Sequence, residues 1–404
     1  MKLASYKTCT ACMACVDACS HKVLKPKIDE NGFYKIECDN GRCINCGLCT
    51  KVCPVLNIIK KENDNPNLSF PYATWCTDER LRDISASGGA FAAIAKLFLQ
   101  MGAVVYGAAI KGFDVCHLRV DNIEDLPILL GSKYQHSRMD TIYRKVKKDL
   151  RDGRVVLFSG LSCQVAAIIK FVGNNLQDRL YTVDTICGGL STMLPIIHKR
   201  QQHIYKSIHS FRNKDLGWRS TGYKYSLKMV GNEGQIVDLG PNDIMLQCFR
   251  HKETKRLSCL DCQFNGFHRR SDVTIGDFWG DTRFNDQHER GLSVLIVHSP
   301  RIKEYLFKSP LHMEVISWSE LVKSNPSLYW SHYPYMRYSL MRKLVFNKLR
   351  LNEEADALKL FEKSYLRYIE IYILNRINER RRLDYLKTKL EIIENENSFI
   401  NNMA

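Results

Sequence analysis

Two cysteine runs near the start of the chain share one spacing. They are Cys9-x-x-Cys12-x-x-Cys15-x-x-x-Cys19 and Cys43-x-x-Cys46-x-x-Cys49-x-x-x-Cys53, the second closed by Pro54. Such a run suits a [4Fe-4S] cube: three thiolates in a tight turn grip one face, and the fourth reaches across to a neighbouring cube. The repeat therefore predicts two clusters, one on Cys9, Cys12, Cys15 and Cys53 and the other on Cys43, Cys46, Cys49 and Cys19. Zinc also takes CxxC pairs, but it needs four ligands in two separated pairs and gives no reason for two complete runs. Ser20 stands where the first run usually carries proline, which bears on the local turn and not on ligation. Cys38 falls outside the pattern and reads as a spare.

Outside the two runs lie Cys38, Cys76, Cys116, Cys163, Cys187, Cys248, Cys259 and Cys262. Cys163 follows the strand-like "RVVLFSG" by three residues, and Cys187 ends "LYTVDTIC". From about Tyr72 strands alternate with helical stretches, which argues for an α/β fold with a mainly parallel sheet. Parallel strands bring their carboxyl ends to one edge, where open α/β sheets bind ligands. With the CxxC pair Cys259 and Cys262, four thiolates could meet there around a third [4Fe-4S] cluster. Buried free cysteine is the common alternative, and spacing alone does not choose between them.

The elements that must position these residues are legible in outline. "SGGAFAAIAKLFLQMG" (Ser87–Gly102) reads as a buried helix opened by Ser-Gly-Gly, "AVVYGAAI" as a strand, and "DTIYRKVKKDLRDG" as a helix stopped at Gly153. Tyr225–Leu239 looks like a hairpin, and "DVTIGDF" and "LSVLIVH" are later strands. Lys60–Pro71 is polar with two prolines and reads as a linker. From about Ser339 the chain is helical and charged. Its basic stretch Asn375–Lys389 is a solvated helix face or, as the sharper reading, a contact with a membrane surface or partner. The expected organisation is a small α+β two-cluster ferredoxin domain over 1–60, an α/β domain with a mainly parallel sheet in two parts, 72–155 and 156–335, and a helical extension over 336–404.

Six ordered blocks carry a resemblance: "SASGGAF" (Ser85–Phe91), "GSKYQHS" (Gly131–Ser137), "VLFSGLSCQVA" (Val156–Ala166), "TVDTICGG" (Thr182–Gly189), "FRNKDLGW" (Phe211–Trp218) and "RLSCLDCQF" with "RRSDVTIGDFWG". Over about residues 72–300 the chain resembles the coenzyme F420 hydrogenase/dehydrogenase beta-subunit family, here fused to a two-cluster ferredoxin domain. The resemblance implies that Cys163, Cys187, Cys259 and Cys262 hold a third [4Fe-4S] cluster and that the domain binds FAD. A dinucleotide needs backbone N–H groups and a helix N-terminus for its phosphates. Ser87, Gly88 and Gly89, with Gly131, Ser132, Lys133, Tyr134 and Ser137, are the candidates, although a lone Ser-Gly-Gly also fits a capped helix entered by a tight turn. Two departures stand out: Ser162-Cys163-Gln164 where relatives often have Pro-Cys-Gln, and Cys187-Gly188-Gly189 where many have Cys-His-Gly. Without that histidine the resemblance does not carry over a proton relay beside the cluster, nor the family's usual substrate. Asp277, Phe278 and Trp279 either face the flavin or substrate or serve as core and turn, and Arg269 and Arg270 read as solvated surface or as a site for an acidic substrate. No nucleophile or general base stands out, so catalytic residues are unassigned, in keeping with cofactor-borne hydride chemistry.

Apolar residues make up 45% and charged residues 25% of 404, ordinary values for a protein with a large core. No apolar run approaches the ~18 residues that span a bilayer, and the start lacks the apolar core of a signal peptide. The expectation is a cytoplasmic protein whose sixteen cysteines are ligands and buried thiols, not disulfides. The net charge of +16 suits an acidic ferredoxin or other redox protein as electron donor. Nucleic acid is disfavoured, because the basic residues are dispersed and no binding module is present. The expected function is transfer of electrons from such a donor through [4Fe-4S] clusters to FAD and an organic small molecule. That acceptor would be coenzyme F420 or another metabolite, with polysaccharide biosynthesis as one setting. The alternative is a non-catalytic electron-transfer subunit of a larger redox complex.

Overall fold

Apolar β-branched runs in the middle of the chain build the central sheet. The structure, a computed structural model, describes residues 2–57, 69–215, 217–218, 226–266, 269–279, 283–328 and 334–362. An antiparallel hairpin of β1 (Leu24–Ile28) and β2 (Tyr34–Cys38) lies in the cysteine-rich segment. The large sheet takes β3 (Phe70–Cys76), β4 (Val104–Lys111), β5 (Asp114–Val120), β6 (Val156–Leu161) and β7 (Leu180–Thr185). A three-stranded sheet follows, formed by β8 (Tyr205–Ser210), β9 (Lys228–Gly231) and β10 (Ile236–Asp238). The large sheet is completed by β11 (Val273–Asp277), β12 (Ser293–Val297) and β13 (Leu311–Val315). Its order is β13-β3-β12-β11-β7-β6-β4-β5. The centre, β4-β6-β7-β11, is parallel, and antiparallel strands extend it on both sides. This is the expected α/β class, and the hairpin of β9 and β10 falls within the segment expected to form one.

Alternation along the central strands divides the core into two layers. Val104, Tyr106, Val156 and Phe158 point to one face, while Val105, Leu157, Val183 and Val273 point to the other. The second face is covered by the helices Ala90–Gln100 and Lys303–Lys308, through residues such as Ile94, Phe98 and Leu306. On the first face lie the helices Ile142–Arg151 and Ser162–Val172. Ala11, Cys12, Met13, Ala14 and Tyr34 join that same layer. The cysteine-rich segment is thus seated on the sheet's helical layer and shares its core. Polar contacts fix it there: the Tyr143 hydroxyl donates to the Cys12 carbonyl at 2.7 Å, and the Arg144 backbone N–H donates to the buried Asp17 carboxylate at 3.0 Å. The helices Leu340–Arg350 and 354–362 begin the expected C-terminal extension, whereas the basic stretch Asn375–Lys389 lies outside the described residues.

Candidate iron–sulfur sites

The two cysteine runs adopt one backbone. Ala11 and Asn45 hold equivalent places, with φ of 52° and 55°; Met13 and Gly47 do likewise, with φ of 66° and 76°. A left-handed residue costs about 1–2 kcal/mol outside glycine, so its repetition at Ala11 and Met13 calls for compensation. Alternating right- and left-handed backbone turns successive N–H groups to one side, a concavity that binds anions and iron–sulfur groups. Short helices, Ala14–Ala18 and Leu48–Lys51, continue each turn. Two cavities result. One, of about 150 Å³, is lined by Cys9, Cys12, Cys15 and Cys53; a smaller one is lined by Cys19, Cys43, Cys46 and Cys49. Each cavity is lined by three cysteines of one run and the last cysteine of the other.

Burial shapes the thiols of the larger cavity. It pushes the Cys12 thiol up to about 12, helped by the proximity of Cys9 and Cys53, and it raises Cys15 and Cys53 as well. Thiolates so crowded need bound cationic charge to ionise together. Cys46 is exposed, so the smaller cavity lies nearer solvent. Cys38 is not among its lining residues, but the Cys38 thiol is raised by desolvation and then by Cys43, Cys19 and Cys49, which places the spare beside the second site.

The structure also brings Cys163, Cys187, Cys259 and Cys262 together. Parallel pairing of β6 with β7, Leu161 opposite Thr185, sets their carboxyl ends side by side. Cys163 opens the helix after β6, and Cys187 follows β7 by two residues. Cys259 sits in the turn Leu257–Leu260, with Cys262 just beyond. Burial raises the Cys163 thiol well above its usual range, and Cys262, Cys12, Cys187 and Cys259 raise it further. Cys262 is pushed up to about 12 by burial and then by Cys259 and Cys187. The four thiols, each partly buried, thus share one place at the carboxyl edge of the sheet and raise one another. Cys12, from the larger cavity, is among the neighbours of Cys163, so the two thiol sets adjoin.

Two cations hold this second set and a third reaches from beside it to the first, and sequence reasoning missed all three roles. Arg269 is buried and not solvated, which corrects its reading as surface. It pairs with Asp184 at the end of β7, with both side chains 1% exposed, and donates to the Ser162 hydroxyl before Cys163 and to Asn265 Oδ1 at 2.7 Å. Asn265 in turn donates to the Cys187 carbonyl at 3.0 Å. Lys255 Nζ donates to the Gly189 carbonyl at 3.2 Å and to Ser191 Oγ at 3.0 Å. Burial lowers its pKa to about 8, against the pull of Cys187 and Cys259. Gly189 has φ of 96°, and a Cβ there would stand 3.0 Å from Cys259 Cβ, so only glycine fits beside the thiol. Arg256 bridges to the first set: Nε donates to the Cys9 carbonyl and Nη1 to the Tyr34 carbonyl, each at 2.8 Å. The one signal in the sequence was Lys255-Arg256, two residues ahead of the CxxC pair.

The residues expected at flavin phosphates are occupied differently. Ser87 Oγ donates to the Leu292 carbonyl at 2.8 Å, and the Gly88 N–H donates to Ser293 Oγ at 3.0 Å. A Cβ on Gly88 would lie 2.7 Å from Ser293 N and from the Thr74 carbonyl oxygen, so the Gly pair allows the helix Ala90–Gln100 to enter tightly over β3 and β12. Gly89, with φ of 84°, is the last residue before that helix. Lys133 Nζ donates to the Leu129 and Leu130 carbonyls, at 2.8 and 2.6 Å, and burial lowers its pKa to about 7. Ser137 Oγ is hydrogen-bonded to His117 Nδ1 at 2.7 Å, Tyr134 stacks on Phe249 at 3.9 Å, and the Ser132 hydroxyl pairs with Tyr134. Gly131 turns the loop with φ of 82°. Ser87, Gly88, Ser132, Lys133 and Ser137 thus all have internal hydrogen-bond partners. Phe278 is core; Asp277 pairs with Arg212 at 2.8 Å, and Trp279 stacks on Trp218 at 4.5 Å under the Arg212 guanidinium.

Paired cysteine cavities on an α/β domain define an iron–sulfur electron-transfer protein. Residues 8–57 match the model of the 4Fe-4S dicluster domain, and residues 153–322 match that of the C-terminal part of the coenzyme F420 hydrogenase/dehydrogenase beta subunit. The chain thus carries a segment similar to the C-terminal part of that beta subunit behind an N-terminal 4Fe-4S dicluster domain, in keeping with the sequence blocks. No curated protein matches it. Among solved structures, a chain of the F420-reducing [NiFe] hydrogenase complex from Methanosarcina barkeri, in a xenon-derivatised form, is similar at 14% identity and a TM-score of 0.42. The alignment covers 73% of this chain and 90% of that one. Among the described residues no helix is long and apolar enough to cross a membrane.

Proposed function

We propose that the chain takes electrons from a ferredoxin-type donor at the exposed Cys46 side and passes them inward. Three thiol sets would carry them in order: Cys43, Cys46, Cys49 and Cys19; then Cys9, Cys12, Cys15 and Cys53; then Cys163, Cys187, Cys259 and Cys262. The observation that carries this reading is the adjacency of Cys12 and Cys163, which links the ferredoxin cavities to the carboxyl edge of the sheet. Each thiol set would hold a [4Fe-4S] cluster, which supplies one-electron transfer when bound. The chain's own part is to crowd and desolvate the thiols, to brace their carbonyls through Tyr143, Asn265 and Arg256, and to set cations beside them. The organic acceptor would be coenzyme F420 or another metabolite, and FAD is the cofactor that the family resemblance brings. Its phosphates would use groups other than the internally bonded Ser87–Gly89 and Lys133. Cytoplasmic location and an acidic donor protein complete the proposal, the net charge of +16 favouring the latter.

Anaerobic purification with iron, zinc and flavin analysis tests it. About twelve irons per chain are expected for three cubes, with stoichiometric FAD reduced when a low-potential ferredoxin is supplied. Stoichiometric zinc with little iron would defeat the electron-transfer reading. Full iron without flavin would favour a subunit that relays electrons to a partner enzyme.

A further inference from the structure

Arg256 is a buried cation whose surroundings do not account for it. It is 1% exposed and ranks among the largest fully buried side chains. Two of its nitrogens donate to the carbonyls of Cys9 and Tyr34. The third, Nη2, is buried without a hydrogen-bond partner. Among the described residues no carboxylate pairs with the guanidinium; the rings of Tyr6 and Phe33 lie 5.7 and 6.0 Å from it. A buried charge in that state costs several kcal/mol unless something negative faces it, and arginine does not escape by losing its proton. Arg256 is also part of the wall of the cavity ringed by Cys9, Cys12, Cys15 and Cys53.

Its position in the chain explains how it arrives there. Lys255 and Arg256 both have extended backbone, with φ and ψ of −74° and 151°, and −57° and 142°. Successive side chains of such polyproline-like backbone leave in different directions, about a third of a turn apart. Lys255 therefore turns to Gly189 and Ser191, beside Cys187 and Cys259, while Arg256 turns to Cys9. Among the described residues, no lysine or arginine lines the smaller cavity of Cys19, Cys43, Cys46 and Cys49. Lys35 is the other cation lining the larger cavity, but it is exposed, where water screens its charge.

We infer that Arg256 is a positioning residue for electron flow: its buried guanidinium faces the cluster held by Cys9, Cys12, Cys15 and Cys53 and raises that cluster's reduction potential above that of its twin. The inference rests on the proposed ligation of the two N-terminal clusters. One-electron reduction adds one negative charge to the cube and breaks no bond. A fixed cation and an N–H donor beside its sulfurs favour the reduced form. Raising the inner cluster alone draws an electron from the solvent side toward Cys163.

The test is an anaerobic redox titration of the full iron-loaded chain, followed by electron paramagnetic resonance, on wild type, R256Q, R256K and K35Q. In R256Q, with full iron, one N-terminal cluster should become at least tenfold harder to reduce, a fall of about 59 mV for a one-electron couple. The other clusters and K35Q should stay near wild type, and R256K should recover most of the shift. An unmoved potential in R256Q, or an R256K as shifted as R256Q, overturns the inference and leaves the ligation intact. Should R256Q lose iron, R256K decides alone: full iron with less than a tenfold change supports the inference, and loss of iron there too marks the side chain as structural and overturns it. A wild-type chain without eight irons on Cys9–Cys53 defeats the ligation itself.

Discussion

The N-terminal thiol cavities and the set at the sheet edge present the same ligands by opposite means. The first are drawn from one stretch of chain, Cys9 to Cys53, and shaped by backbone: matched left-handed residues at Ala11 and Asn45 and at Met13 and Gly47 aim each turn. The second is gathered from the ends of two parallel strands and a distant loop, and side chains hold it: the buried Arg269–Asp184 pair, Asn265 and Lys255. A local motif survives changes elsewhere, whereas an assembled site depends on every element that meets there.

The largest break in this comparison should come from the double change Cys259→Ala and Cys262→Ala. Losing two of four ligands should lower iron from about twelve to about eight per chain. The N-terminal clusters should remain reducible by a low-potential donor. Full iron in this variant would show that the pair is not ligating. Cys248→Ala, in a buried thiol that belongs to none of the three sets, should leave iron unchanged.

Arg269→Ala comes next. Removing one partner of a buried ion pair typically costs about 3–5 kcal/mol, and it should take the iron of the assembled site with it while sparing the N-terminal pair. Iron analysis and denaturant unfolding of one preparation read both effects. Uniform loss of iron from all sites would mean that the two regions are not separately held.

The finest contrast lies between two glycines. Gly189→Ala adds strain at φ of 96° and a contact at 3.0 Å with Cys259, and should cost roughly 2–3 kcal/mol with partial loss of the assembled cluster. Gly47→Ala, at φ of 76° with nothing within 4 Å of the new methyl, should cost only about 1 kcal/mol and keep its iron. Equal losses in the two variants would erase the distinction between local and assembled sites.

The sequence by itself determined whatever depended on spacing along the chain. The CxxCxxCxxxC repeat carried the grouping of three cysteines in each turn, because a tight turn places near neighbours in space without help, whereas the fold decided that Cys53 lines the first cavity and Cys19 the second. Alternating apolar strands and helices carried the α/β class. Tertiary structure decided what depended on neighbours distant in sequence. It showed that Arg269 is a clamp and not surface, since the partner that buries it, Asp184, is 85 residues away. It showed that Ser87–Gly89 and Lys133 are spent on packing and carbonyls, since those partners come from β12 and from the loop's own turn. It turned Lys255 and Arg256 in different directions from one extended segment, each toward a different thiol set. Charge and polarity are written in the residue; whether a polar group meets a ligand, a carbonyl or water is settled only when the chain has closed around it.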